Sequence, residues 1–252
     1  MKQFPHYNYI YICQSDWGDV HLDEIIKTLE DSIHELNEKI QEKRLHARKL
    51  EIKNAGDEKN PVFWRGLNSD IILIANKDRY LPEYIYQFSH EYCHYLISNE
   101  GNISDRFGWL EETICEVSSF YVLAKISQKW KINFPYSNWD SEWKKIDQYL
   151  ACLLDKIKEK DNFNNWLAEK LDSLYMNKED RESNKVIAKK ILPLFLERPH
   201  LWNALLDFKD IKFNGQTSLE EFMQSWESIS QNLYKSDVIE LKKTLLNQDF
   251  FF

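Results

Sequence analysis

One stretch of the chain places catalytic and metal-binding residue types at a spacing that can do chemistry. In His90-Glu91-Tyr92-Cys93-His94, two imidazoles stand four residues apart with a carboxylate next to the first. Residues four apart on a helix share a face. Both rings can therefore reach one ion at about 2.0–2.1 Å, the usual zinc–nitrogen distance. At about 100° per residue with His90 at zero, His94 falls near 40° and Glu91 near 100°. Tyr84, Ile85, Phe88, Tyr92, Tyr95 and Leu96 fall between roughly 120° and 240°. The spacing predicts a helix with one core face and a separate site face. With seven histidines in 252 residues, chance alone gives such an HExxH spacing in roughly 2% of chains of this composition. A second feature is needed to weigh against coincidence.

Gly108-Trp109-Leu110-Glu111-Glu112-Thr113-Ile114-Cys115-Glu116 supplies it. A catalytic zinc takes three protein ligands and keeps a fourth position open. Glu112 follows His94 across a loop of Gly, Asn, Ser and Asp, on a segment that predicts a helix returning antiparallel to the first. On that helix Glu112 and Glu116 lie about 40° apart, opposite an apolar arc of Leu110, Ile114, Val117, Tyr121 and Ala124. Glu112 is the expected third ligand. Glu111 is the alternative, because helix phase is not fixed to within one residue. Glu116, one turn on, is placed to accept from a ligand His ring N–H. Cys93 and Cys115 fall near 300° on their wheels, off both ligand faces. They read as small buried apolar side chains.

HExxH followed some twenty residues later by a Glu on a second helix resembles the gluzincin branch of zinc metallopeptidases. Trp109-Leu110-Glu111-Glu112 resembles the tryptophan-leucine-x-glutamate run of its aminopeptidase group, and an acidic residue four positions after the ligand resembles the thermolysin-type arrangement. The likeness spans about residues 71–125 and names no substrate. It implies a zincin-like fold with Zn2+ at His90, His94 and Glu112. It also implies hydrolysis of a peptide bond, in which the ion lowers the pKa of a water towards about 7 and polarises the carbonyl. Glu91 would be the general base and then the proton donor to the leaving amine. Such enzymes pair an extended peptide with a sheet edge, for which Ile71–Ala75 and Val62–Arg65 are the candidates. A helical domain then closes the cleft and supplies an oxyanion donor; Tyr121, Tyr136 and His200 are the candidate residues. His200, like His6, His21, His34 and His46, otherwise reads as a surface or loop side chain.

The elements needed to position these residues are also legible. Tyr7–Cys13 reads as a strand, and Leu22–Ile40 as an amphipathic helix packed on a sheet in preference to a coiled coil. Short strands follow at Glu51–Asn54, Val62–Arg65 and Ile71–Ala75, the first two separated by a turn over Asn54–Pro61. Helical spacing then recurs near 82–97, 108–128, 141–158, 162–176, 183–197 and 217–230. The expected class is α+β: a mixed N-terminal sheet with helices (1–100, including the HExxH helix), then a mainly helical part (101–252, carrying the third ligand), with a soft boundary near 98–106.

Composition bounds the function classes. A net charge of −8 and an aromatic content of 14% point away from disorder and from a chain built to coat nucleic acid or an anionic membrane. No apolar run reaches membrane-spanning length, and the start of the sequence shows no signal-peptide pattern. Cys13, Cys93, Cys115 and Cys152 are scattered without a CxxC pair, which fits a reducing compartment, so the expectation is cytoplasmic. The expected partner is a peptide or protein substrate; oligomeric state is not encoded in these patterns. Two other readings stand beside the peptidase: a degenerate zincin scaffold used as a binding or regulatory module, and a regulatory protease specific for one cytosolic partner. The tryptophans read as core, and the Phe250-Phe251-Phe252 tail has no assigned role.

Overall fold

The structure, a computed structural model, describes residues 1–41, 45, 48–56, 60–97 and 105–246. His46, the Phe250–Phe252 tail, the middle of the Asn54–Pro61 turn and most of the 98–106 boundary lie outside them. The fold is α+β, with a small N-terminal sheet and helices throughout the rest.

The sheet contains β1 (Lys2–Gln3), β2 (Ile10–Ile12), β3 (Leu50–Asn54), β4 (Val62–Trp64) and β5 (Asp70–Ile74), in the order β1-β2-β3-β5-β4. β2, β3 and β5 run parallel, and β1 and β4 flank them antiparallel. The predicted Tyr7–Cys13 strand is cut to three residues because its first half makes the turn from β1, with Ile10 N donating to Tyr7 O and Phe4 N to Ile10 O. One face of the sheet is fully buried: Ile10, Ile12, Leu50, Ile52, Ile72 and Ile74 are each 0% exposed. The alternate positions Tyr11, Glu51, Ile71 and Leu73 are half-buried. This period-two pattern is that of a sheet with helices on one side. The expectation that Ile71–Ala75 offers an open edge is corrected: β5 pairs with β3 on one side and β4 on the other, so only β4 of the two candidates is an edge strand.

The chain divides into two compact units. The first comprises Met1–Glu38, Glu42–Leu96 and Ser118–Leu154. Here α1 (Leu22–Asn37) connects parallel β2 and β3. Its apolar stripe Ile25, Ile26, Leu29, Ile33 and Leu36 is buried, as are the polar Thr28, Glu30, Asp31, Ser32 and Glu35. A helix covered on more than one side must satisfy its buried carboxylates. Asp31 does so with Lys27, with the Lys129 ammonium at 2.9 Å and with the Trp130 indole N–H at 2.9 Å. Glu24 and Glu142 share the Arg79 guanidinium. α4 (Glu142–Lys156) completes this unit, together with α2 (Leu81–Ile97) up to Leu96 and α3 (Gly108–Ile132) from Ser118 on.

The second unit comprises Lys39–Gln41, Ile97–Val117 and Asp155–Phe252. It holds α5 (Phe163–Met176), α6 (Arg181–Glu197), α7 (Leu201–Ala204), α8 (Leu219–Ile229) and α9 (Lys235–Leu246). Its core is aromatic: Phe107 stacks on Phe222 at 4.1 Å, and Trp226 donates to Ala204 O. The side chain of Asn203 bonds the backbone of Lys39 and Gln41. α3 belongs to both units, and its backbone helix is unbroken from Gly108 to Ile132. Seven of the helices match predicted segments. α7, only four residues long, and α9, marked by Val238, Leu241 and Leu245, are additional. Among the described residues no helix is long and apolar enough to cross a membrane.

Candidate metal centre

The HExxH segment lies in the second half of α2. The half-exposed residues of this helix are Glu83, Tyr86, His90, His94 and Leu96, while Tyr84, Ile85, Phe88, Tyr92 and Cys93 are buried. The steps of three and four through Glu83, Tyr86, His90 and His94 trace one stripe along the helix. The expected separation of a core face from a site face is thus present, with both histidines on the open stripe. Their ring centroids are 5.1 Å apart. Glu91, beside them, is only 5% exposed.

α2 is held in phase by polar bonds to its neighbours. The Ala75 amide at the end of β5 donates to Gln87 Oε1 (2.9 Å), and Gln87 Nε2 donates to Glu83 Oε1 (2.8 Å). The Tyr149 phenol of α4 donates to the other Glu83 oxygen. Beyond the motif, the Tyr92 hydroxyl donates to Asn37 Oδ1 and the Tyr95 hydroxyl to Arg48 O. Burial drives the Tyr92 phenol well above its ordinary range, so it stays a neutral donor. Phe63 of the edge strand β4 meets the Tyr95 ring edge-on, at 6.3 Å. A sheet edge thus packs against the residue that follows His94.

α3 docks on α2 through two serine bonds: Ser118 Oγ donates to Ser89 O (2.9 Å) and Ser119 Oγ to Tyr86 O (2.8 Å). The two helices run antiparallel at this contact, because the later serine meets the earlier residue.

The ligand atoms brought together are a nitrogen of His90, a nitrogen of His94 and Cys115 Sγ, all within 4.8 Å of one another. Two imidazoles and a thiol suit a soft or borderline ion such as zinc. Glu112, half-buried, is not one of the three; Glu111 is likewise half-buried, and Glu116 is 5% exposed. Cys115 is buried at 0%, as the sequence leads one to expect, and is in no disulfide. Its position beside both imidazoles was not expected. The wheel measured α3 from its apolar stripe, yet every residue from Thr113 to Leu123 is buried, so that stripe does not indicate where α2 lies. The signal that does is the small polar pair Ser118-Ser119, three and four residues beyond Cys115 and on the same face.

The oxyanion candidates are dispersed. Tyr136 bonds Asp23 O and packs on Trp139, whose indole reaches Glu24, the partner of Arg79. That places it before the start of α2, about 13 Å of helix from His90. Tyr121 is buried about 9 Å along α3 from Cys115, and His200 is exposed at the head of α7. His6, His21 and His34 are exposed, as expected, with His6 bonded to Glu30. Compared with known proteins, the chain matches no family model, no curated protein and no solved structure.

Proposed function

We propose that this chain is a zinc-dependent peptidase that hydrolyses a peptide bond in a peptide or protein substrate of the cytoplasm. The observation that carries the reading is the α2 stripe: His90 and His94 on one half-exposed face, with the Glu91 carboxylate buried beside them. His90 and His94 would hold the ion with a third donor from α3, which the gluzincin resemblance assigns to Glu112. When bound, the ion supplies Lewis-acid polarisation of the scissile carbonyl and acidifies a water.

The chain's own residues do the rest. Glu91 takes the proton from the attacking water and returns it to the leaving amine. Glu116 would orient a ligand imidazole by accepting from its ring N–H, as the resemblance implies. The edge strand β4 offers main-chain pairing to an extended peptide, and the Phe63–Tyr95 contact supports a place for it next to the His pair. The test is a peptide-library digestion read by mass spectrometry. Wild type with zinc should cleave, and Glu91→Gln should keep zinc and fold while cleaving nothing. Equal cleavage by the two proteins would overturn this mechanism.

A further inference from the structure

We propose that Glu83, with the rings of Tyr80, Tyr86 and Tyr149, forms a subsite for a cation of the substrate, the ammonium or guanidinium of a peptide residue. The proposal rests on the peptidase reading above and deepens it by naming a substrate class. Every residue of the subsite, like His90 and His94, belongs to the first unit.

The partners of the Glu83 carboxylate set it apart. Elsewhere in this unit Glu24 and Glu142 take Arg79, Asp31 takes Lys27 and Lys129, Glu51 takes Lys49 and Lys53, and Asp70 takes Arg48. Among the described residues Glu83 accepts only from neutral side chains, the Gln87 amide at 2.8 Å and the Tyr149 phenol. Gln87 is itself tied to the Ala75 amide at the end of β5, at 2.9 Å. The half-buried carboxylate is thus held in place while its charge is left for an incoming cation to match.

The rings offer that cation a second surface. Tyr149 meets Tyr80 edge-on at 5.7 Å and Tyr86 edge-on at 6.1 Å. Tyr80 is 42% exposed, and Tyr86 and Tyr149 are half-buried, so ring surface stays open beside the carboxylate. A cation within about 6 Å of such a ring centroid is attracted to its face. Glu83 and Tyr86 also share the half-exposed stripe of α2 with His90 and His94. Tyr86 stands about 6 Å of helix before His90, and Glu83 about 10 Å. An extended peptide covers those distances in about two to three residues, which sets the recognised cation that far from the bond that is cut.

The experiment is digestion of a peptide library by the full chain with zinc, read by mass spectrometry. It is followed by kcat/KM on matched peptides that differ only in the charge of one residue. Wild type should favour Lys, Arg or a free N-terminus about two to three residues from the cut. Glu83→Gln should lower kcat/KM for the cationic peptide about 10–100-fold more than for its neutral match. The loss should fall on KM, because the cation is remote from the reacting atoms. Tyr86→Leu should weaken the same preference about 2–5-fold through the lost ring face, and it reads the subsite even where Glu83→Gln fails to fold. N-terminal acetylation separates the two sources: a preference that it removes belongs to the terminal ammonium, one that it leaves belongs to a side chain, and either supports the subsite. Cleavage by wild type without the preference, or a preference that survives either substitution unchanged, overturns the subsite and leaves the peptidase standing. Absence of any cleavage by wild type overturns both.

Discussion

The two helices of the candidate centre, α2 and α3, encode their roles in opposite ways. α2 keeps a half-exposed stripe through Glu83, Tyr86, His90 and His94 against an otherwise buried surface, so its hydrophobic phase points at its chemistry. α3 is buried without a break from Thr113 to Leu123, and its phase points nowhere in particular. What orients α3 is hydrogen bonding: Ser118 and Ser119 bond α2's backbone, and Thr113 reaches Asn184 in the helical unit. A partly exposed helix can be read by periodicity. A fully enclosed one is read by where its few polar groups find partners, because leaving such groups unpaired costs about 1–3 kcal/mol each.

This contrast can be broken by substitution. The largest effect should come from the stripe of α2: His90→Ala or His94→Ala is expected to abolish metal retention through gel filtration, a loss beyond about 100-fold in affinity, with the circular dichroism of wild type. Glu91→Gln is expected to retain metal and lower hydrolysis by about 10²–10⁴-fold, seen in product formation on a cleaved library peptide. On the enclosed helix the expected damage is to stability. Ile114→Ala should cost about 2–5 kcal/mol in denaturant unfolding, the range for truncating a fully buried aliphatic side chain.

The smallest effect lies on the half-open face of the sheet. The Lys49 and Lys53 ammonium groups hold the Glu51 carboxyl down from 4.5 to about 2. A carboxyl depressed in the folded state stabilises above its unfolded pKa, and that contribution is lost as pH falls through its folded one. Glu51→Gln should therefore flatten the fall in stability between about pH 4.5 and pH 2. At neutral pH it should change stability by less than about 1 kcal/mol, as expected of exposed ion pairs.

Much of the first unit was legible because its signals are local. The isoleucine-rich run marks β5, and the apolar positions from Leu22 to Leu36 mark α1. Strand order was not: nothing in Ile71–Ile74 says that β4 lies outside it, since pairing is settled by long-range register. α7 escaped notice because four residues carry no period, and the Tyr7–Cys13 strand was overestimated because propensity ignores the turn that closes β1 onto β2. The His90–His94 pair was legible from spacing alone.

The central claim is the proposal that the His90–His94 pair of α2 holds one metal ion. Its most direct measurement is the zinc content, by native mass spectrometry, of full-length protein purified without chelators. The account predicts about one zinc per chain, lost in His90→Ala. Less than about half a zinc per chain that added zinc does not restore would contradict it.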